Sequence, residues 1–228
     1  MASVKQDTTI KEYQNFVNEV FGLPNVRDYD LRDISTNMER FVMRGLKGIR
    51  KRDKEKIKIN LLISLSWFIS ITNLFRINLE DEVWKRFPYL CSYCASCPCS
   101  CKETNIGERQ KVFIDEKKRQ RTLKDFQNMF SKIYPSETRT VEQAGIHLAE
   151  ELGEFAEAIL TYRGGHKEID FDKIPREAAD FFSCLMGIFN SLGINVAKEL
   201  STMFSNNCHV CKNAPCTCSF ESVANFKS

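Results

Sequence analysis

The sequence predicts an all-α protein made of two homologous halves. Three observations predict it. Apolar residues recur at the helical period with few alternating strand-like runs, helix start signals precede several of these stretches, and the chain repeats itself in order. TIKEYQN (9–15) returns as TLKDFQN (122–128), and INLEDEVWKRFPYLC (77–91) matches INVAKELSTMFSNNC (194–208) without a gap. Each copy then runs into a cysteine cluster, CSYCASCPCSC (91–101) and CHVCKNAPCTC (208–218), with the shared spacing C-x2-C-x3-P-C-x-C. One such match is within reach of chance, but three in the same order are not. The division follows: a first half with its cysteine knuckle over 1–101, a charged linker over 102–121, and a second half with its knuckle over 122–228.

Taken in order, Asp7, Thr8 or Thr9 caps the first amphipathic helix and Thr122 caps its counterpart. The stretch 44–58 is strongly basic and reads as a loop between two long helices. Residues 59–75, INLLISLSWFISITNLF, form an uncharged run close to the ~17–25 residues of a spanning helix. Asn60, Ser64, Ser66, Ser70, Thr72 and Asn73 dilute it, and it aligns with AADFFSCLMGIFNSLG of the second half, so it reads as a buried helix and no membrane partner is expected. In the second half, Gly164, Gly165 and Pro175 mark a loop between the two helices that carry a concentration of acids.

Composition sets few limits. The chain has 228 residues, 43% of them hydrophobic, enough for one large or two small cores. A net charge of +3 points to no partner class. The first residues, MASVKQDTTIKEYQ, lack the apolar core of a secretory signal, so a cytoplasmic location is expected, where ten cysteines do not make a disulfide scaffold.

The acids are the most informative feature of the second half. On a helical wheel Leu148, Leu152, Phe155 and Ile159 form an apolar stripe flanked by Glu151 and Glu154, while Glu150 and Glu157 point away. In the next helix Glu177, Asp180 and Cys184 run along the edge of a second stripe. Packing the stripes together brings Glu151, Glu154, Glu177 and Asp180 to one margin. There they either form a solvated charged face or hold a hard divalent cation.

The cysteines carry a separate signal. Four thiols at knuckle spacing, repeated, suit a tetrahedral Zn²⁺, with Cys91, Cys94, Cys99 and Cys101 in one set and Cys208, Cys211, Cys216 and Cys218 in the other. An iron–sulfur cluster or a redox switch is the alternative. Cys97 has no counterpart and is left outside the set.

EELGE followed, after a loop, by EAAD resembles the EExxE…ExxD signature of the MazG-like, all-α nucleoside triphosphate pyrophosphatases over residues 122–207. The resemblance implies a four-helix-bundle type of fold in each half, the halves packed as an intrachain pseudo-dimer, and chains that pair further as homo-oligomers in some members. It also implies Mg²⁺ (or Mn²⁺) held by Glu151, Glu154, Glu177 and Asp180, with Glu150 as a fifth catalytic acid, and a (d)NTP cleaved to monophosphate and pyrophosphate. One departure stands out. Where many members carry a basic residue in the last helix, this chain has STMFSNN, with Asn206 but no Lys or Arg. Phosphate contacts are then expected from Arg163, His166 and Lys167, or from His209 and Lys212, with Cys184 and Asn206 lining the pocket. Alignment of the halves places Thr36, Asn37 and Arg40 opposite Glu150, Glu151 and Glu154, and Asn60 and Ile63 opposite Glu177 and Asp180. The first half therefore reads as a degenerate copy. A rival reading is a non-catalytic zinc protein that binds nucleotide or nucleic acid through the basic stretch 44–58.

Overall fold

Capped amphipathic segments become helices along the whole chain. The computed structural model describes residues 3–104 and 107–227, so Asn105 and Ile106 of the charged linker lie outside it. The helices are α1 (Ile10–Val17), α2 (Leu23–Asp28), α3 (Leu31–Lys51), α4 (Lys54–Leu74), α5 (Leu79–Arg86), α6 (Cys101–Thr104), α7 (Leu123–Ile133), α8 (Val141–Gly165), α9 (Glu168–Phe171), α10 (Lys173–Ser191), α11 (Val196–Met203) and α12 (Phe220–Ala224). No strand occurs among the described residues. Reciprocal capping boxes start α1 (Thr9 with Glu12), α3 (Asp30 with Asp33), α7 (Thr122 with Asp125) and α8 (Thr140 with Gln143). The equivalent residues Arg52 and His166 end α3 and α8 in the left-handed conformation, at φ 55° and 51°.

Two readings of loops are corrected. The basic stretch 44–58 is the last turns of α3, a tight turn at Arg52 and Asp53, and the first turns of α4. Its lysines and arginines do not interrupt the helices, because long aliphatic stems are good helix formers. Likewise α8 continues through Gly164 and Gly165, and Pro175 sits in the first turn of α10, where a missing N–H costs nothing.

The chain forms two compact units, and they are not the sequence halves. One is continuous, residues 78–193; the other is split, residues 1–77 with 194–228. These units differ from the division of the sequence at 101 and 122. In the continuous unit α10 is the central helix, packed against α7, α8 and α5. In the split unit α4 has that place, packed against α3, α1 and α11. Each unit therefore joins the long helices of one repeat to the last helix and cysteine knuckle of the other. The kinship of the units is visible in an amide clasp made twice. Gln14 donates to Asn73 Oδ1 (3.1 Å) and Asn73 Nδ2 to Gln14 O (2.9 Å); Gln127 and Asn190 make the same pair at 3.0 and 3.0 Å.

Helix α4 is long and apolar enough to cross a membrane, yet 72% of its apolar window is buried inside the protein. Several of its polar side chains are satisfied internally, whereas the buried Ser64 Oγ has no hydrogen-bond partner. Ser66 and Ser70 donate to carbonyls one turn back, and the Tyr13 hydroxyl meets Ser66 Oγ at 2.8 Å. The α3–α4 approach is close because Gly45 and Gly48 carry no side chain: a Cβ on Gly45 would fall 2.6 Å from Leu61 Cδ2.

Candidate functional site

The acids meet in the continuous unit because α8 and α10 pack through the predicted stripes, with Leu148, Leu152, Phe155, Phe182, Leu185 and Phe189 all buried. Glu151, Glu177 and Asp180 each offer a carboxylate oxygen within 4.8 Å of the others. Glu154 stands exposed at the rim, close enough for its charge to be felt by Glu151 and Glu177. Glu150 is exposed and outside the cluster. Burial first, and then the charges of Asp180, Glu154 and Glu177, push Glu151 up to about 8, while Arg86 pulls it back. Glu177 is raised for the same reasons. Glu151 Oε2 is buried with no hydrogen-bond partner, which is costly unless something binds there.

One cation that the sequence reading missed pairs with this cluster, and a second stands farther along α10, within reach of Cys184. Arg86, at the end of α5, forks onto Asp180: Nε donates to Oδ1 at 2.9 Å and Nη2 to Oδ2 at 2.5 Å. Both side chains are nearly dry, 15% and 13% exposed. Burial opposes the Arg86 charge, but Asp180, Glu177 and Glu151 together hold it firmly protonated. Arg139, just before α8, lies across α10 at Gly187, where a Cβ would collide with its guanidinium; its Nε is buried without a partner. A signal for Arg86 was present. The repeat aligns Lys85 and Arg86 with Thr202 and Met203, so the basic residues absent from the last helix of the second repeat are present in that of the first. The exchange between repeats puts that helix on the acids. Removing Arg86 leaves a buried, unpaired carboxylate, so Arg86→Ala is expected to cost about 3–5 kcal/mol, and Arg86→Ala with Asp180→Asn markedly less, as read from urea midpoints.

Other predicted pocket residues fall elsewhere. Arg163, His166 and Lys167 are exposed at the end of α8, with Arg163 about 18 Å along the helix from Glu151 at 1.5 Å per residue. The His166 ring leans edge-on against Tyr162. Asn206, His209 and Lys212 belong to the split unit. Cys184 does lie beside the acids. Burial and the charge of Glu151 raise it to about 12, which makes it a neutral thiol.

Both cysteine sets gather as the spacing predicts, each with four Sγ atoms within 4.8 Å. Individual separations are 3.7 Å (Cys91–Cys101), 3.8 Å (Cys94–Cys99), 3.9 Å (Cys208–Cys218), 3.7 Å (Cys211–Cys216) and a shorter 3.4 Å (Cys208–Cys216). Those are the edges of a sulfur tetrahedron around an ion with Zn–S bonds of about 2.3 Å, for which geometry gives about 3.8 Å. A disulfide, at about 2.05 Å, is a different object. Backbone amides of Tyr93, Thr217 and Cys218 point at Cys91, Cys211 and Cys216 Sγ at 3.4 Å, as thiolates require. Both knuckles thus fit a structural zinc ion. Cys97 is exposed and outside the set, as expected. Each knuckle is tied to the unit it serves: Cys99 N donates to Ile133 O of α7 (2.8 Å), and Cys216 N donates to Val20 O (2.7 Å).

No family model, curated protein or solved structure matches this chain.

Proposed function

We propose that the continuous unit is a Mg²⁺- or Mn²⁺-dependent nucleotide pyrophosphohydrolase, converting a (d)NTP or related nucleotide to the monophosphate and pyrophosphate. The observation that carries this reading is the convergence of Glu151, Glu177 and Asp180 around a buried, unpartnered carboxylate oxygen. Three hard oxygen donors, two of them (Glu151 and Glu177) with raised proton affinity, suit a divalent cation of that class. When bound, the ion supplies neutralisation of phosphate oxygens and a water acidified towards neutrality. The chain's own part is fourfold. Glu151 gives up its proton as the site fills, and Glu177 joins it as an oxygen donor. Glu154, exposed at the rim, is placed to take a proton from the attacking water. Arg86 exchanges Asp180 for a phosphate oxygen, freeing Asp180 as a further oxygen donor. Arg139 offers its unpartnered Nε to the phosphate chain.

In this reading zinc at the two knuckles is structural, and the two kindred units stand in one chain as an intrachain pseudo-dimer, where the MazG-like proteins that the sequence resembles pair two chains. The Arg86–Asp180 fork favours a second reading, in which the cation never leaves Asp180 and the protein binds nucleotide or nucleic acid without turnover.

A panel of ribo- and deoxynucleoside triphosphates with Mg²⁺ or Mn²⁺, scored for pyrophosphate against orthophosphate, separates the two. Pyrophosphate release lost in Glu151→Gln supports the hydrolase. No turnover by folded, zinc-loaded protein, together with salt-sensitive binding abolished by charge reversal over residues 50–54, supports the binder.

A further inference from the structure

The split unit has lost every acid at the equivalent positions and gained a cation at one of them. Arg40 stands where the continuous unit has Glu154, and Ile63 where it has Asp180. Over this face lies the segment 219–227, which begins with α12. Arg40 Nη1 donates to Ala224 O (3.1 Å), Arg40 Nη2 to Val223 O (2.9 Å) and Arg44 Nη1 to Phe226 O (2.7 Å). Both guanidiniums also lie over the Phe41 ring, 4.7 and 5.4 Å from its centroid. Their hydrogen-bond acceptors are neutral carbonyls. Burial and the neighbouring Arg44 both lower the proton affinity of Arg40, the sign of a cation pair that lacks a nearby anion.

Beneath the segment is a cavity of about 80 Å³ walled by rings, among them Tyr29, Phe41, Trp67, Phe204, His209 and Phe226. Tyr29 stands edge-on to Trp67 at 5.4 Å, and His209 edge-on to Phe226 at 5.5 Å. Three buried polar atoms of its lining residues have no hydrogen-bond partner, Tyr29 Oη and both ring nitrogens of His209, and Arg40 Nε, outside the lining, has none either. A cavity that exists only to be filled by core does not gather three unsatisfied polar atoms at its wall. Flat aromatic walls accept a planar ring, the orphaned groups offer donors and acceptors to its edge, and two arginines offer forks to an anion.

We propose that the split unit binds a nucleoside phosphate directly, without a divalent cation: the base enters the aromatic cavity, the phosphate takes Arg40 and Arg44, and segment 219–227 is the lid it displaces. A phosphate oxygen makes charge-assisted bonds in place of three bonds to neutral carbonyls, so the exchange is favourable where a neutral ligand would only break even. This site is independent of the acids in the continuous unit.

Trp67 reports on it. The chain has two tryptophans, and Trp84→Phe leaves Trp67 as the only one. Nucleoside mono- and triphosphates, inorganic phosphate and a short single-stranded oligonucleotide are titrated against that protein in the absence of added Mg²⁺. The expected result is a saturable change in Trp67 emission with a mononucleotide, weakened at least tenfold by Arg40→Gln and by Arg44→Gln and unchanged by Glu151→Gln. The same nucleotide is expected to speed proteolytic cleavage within 219–227. Absence of a saturable response to every mononucleotide overturns the proposal, as does a response indifferent to both arginine substitutions. Binding of the oligonucleotide alone also overturns it. Should Arg40→Gln unfold the unit, Arg44→Lys carries the test, since it keeps the charge but loses the fork.

Discussion

Cys91→Ser is expected to unfold the long helices of the second repeat, together with α5, and leave the long helices of the first intact. Cys91 lies in the first repeat, but its knuckle belongs to the continuous unit, held to α7 through the Cys99 N–Ile133 O bond and to Tyr134, whose hydroxyl donates to Cys91 Sγ at 3.4 Å. Phe87, just before the knuckle, packs edge-on against Phe130 and Tyr134. Four-thiolate zinc sites in small domains contribute about 10–16 kcal/mol, against a whole-domain stability of about 5–15 kcal/mol. Loss of one ligand is therefore expected to melt the unit. Hydrogen exchange on zinc-loaded protein is the measurement. For Cys91→Ser, protection falls over α7, α8 and α10; for Cys208→Ser it falls over α1, α3 and α4, because that knuckle is tied to Val20 O through Cys216 N. Loss of protection confined to the mutated repeat would mean that the knuckles serve their own halves, and a loss of nothing would mean that they hold no structural metal.

That prediction rests on the feature the sequence was least able to disclose. Local structure was legible because its causes are local: Thr9, Thr122 and Thr140 cap helices wherever they stand, and the knuckle spacing closes a sulfur tetrahedron regardless of what surrounds it. The stripe on α8 and the edge on α10 also placed Glu151, Glu177 and Asp180 together correctly, because wheel geometry fixes which residues flank a buried face. The pairing of repeats is different. Whether α5 packs on α4 or on α10 buries homologous surfaces either way, so the apolar pattern is the same in both arrangements and only the connection differs. Arg86 was missed with it, since a residue ninety-four positions from Asp180 has no periodic relation to it. The basic stretch 44–58 misled for a third reason: charge density reads as loop, but Lys and Arg extend helix ends, and here they complete α3 and begin α4.

Glu151→Gln is expected to abolish turnover and, in metal-free protein, to raise stability. Both effects come from one oxygen. Glu151 Oε2 is buried without a partner beside Asp180 and Glu177, and its proton affinity lies at about 8, above the ordinary carboxylate range near 4.5. A folded-state value raised in this way means that the native protein binds a proton the unfolded chain has already released. Stability is therefore unaffected below about pH 4.5, falls as the pH rises towards 8, and reaches its full deficit above it. The deficit is expected to be about 1–3 kcal/mol once solvent screening is allowed for. Gln carries no charge, so most of this slope disappears in the variant, and at pH 8.5 the variant melts at the higher temperature. Saturating Mg²⁺ reverses the order: at about a hundred times its dissociation constant it adds about 2.7 kcal/mol to the wild type and little to the variant, which has lost a charged ligand. Turnover is expected to fall by about 10²–10⁴-fold. A residue that weakens the empty fold and is needed only when a cation arrives is selected for binding, not for structure. If Glu151→Gln destabilised the metal-free protein at pH 8.5, or if Mg²⁺ failed to raise the wild-type melting temperature, the cluster would be a solvated face and the hydrolase reading would fall.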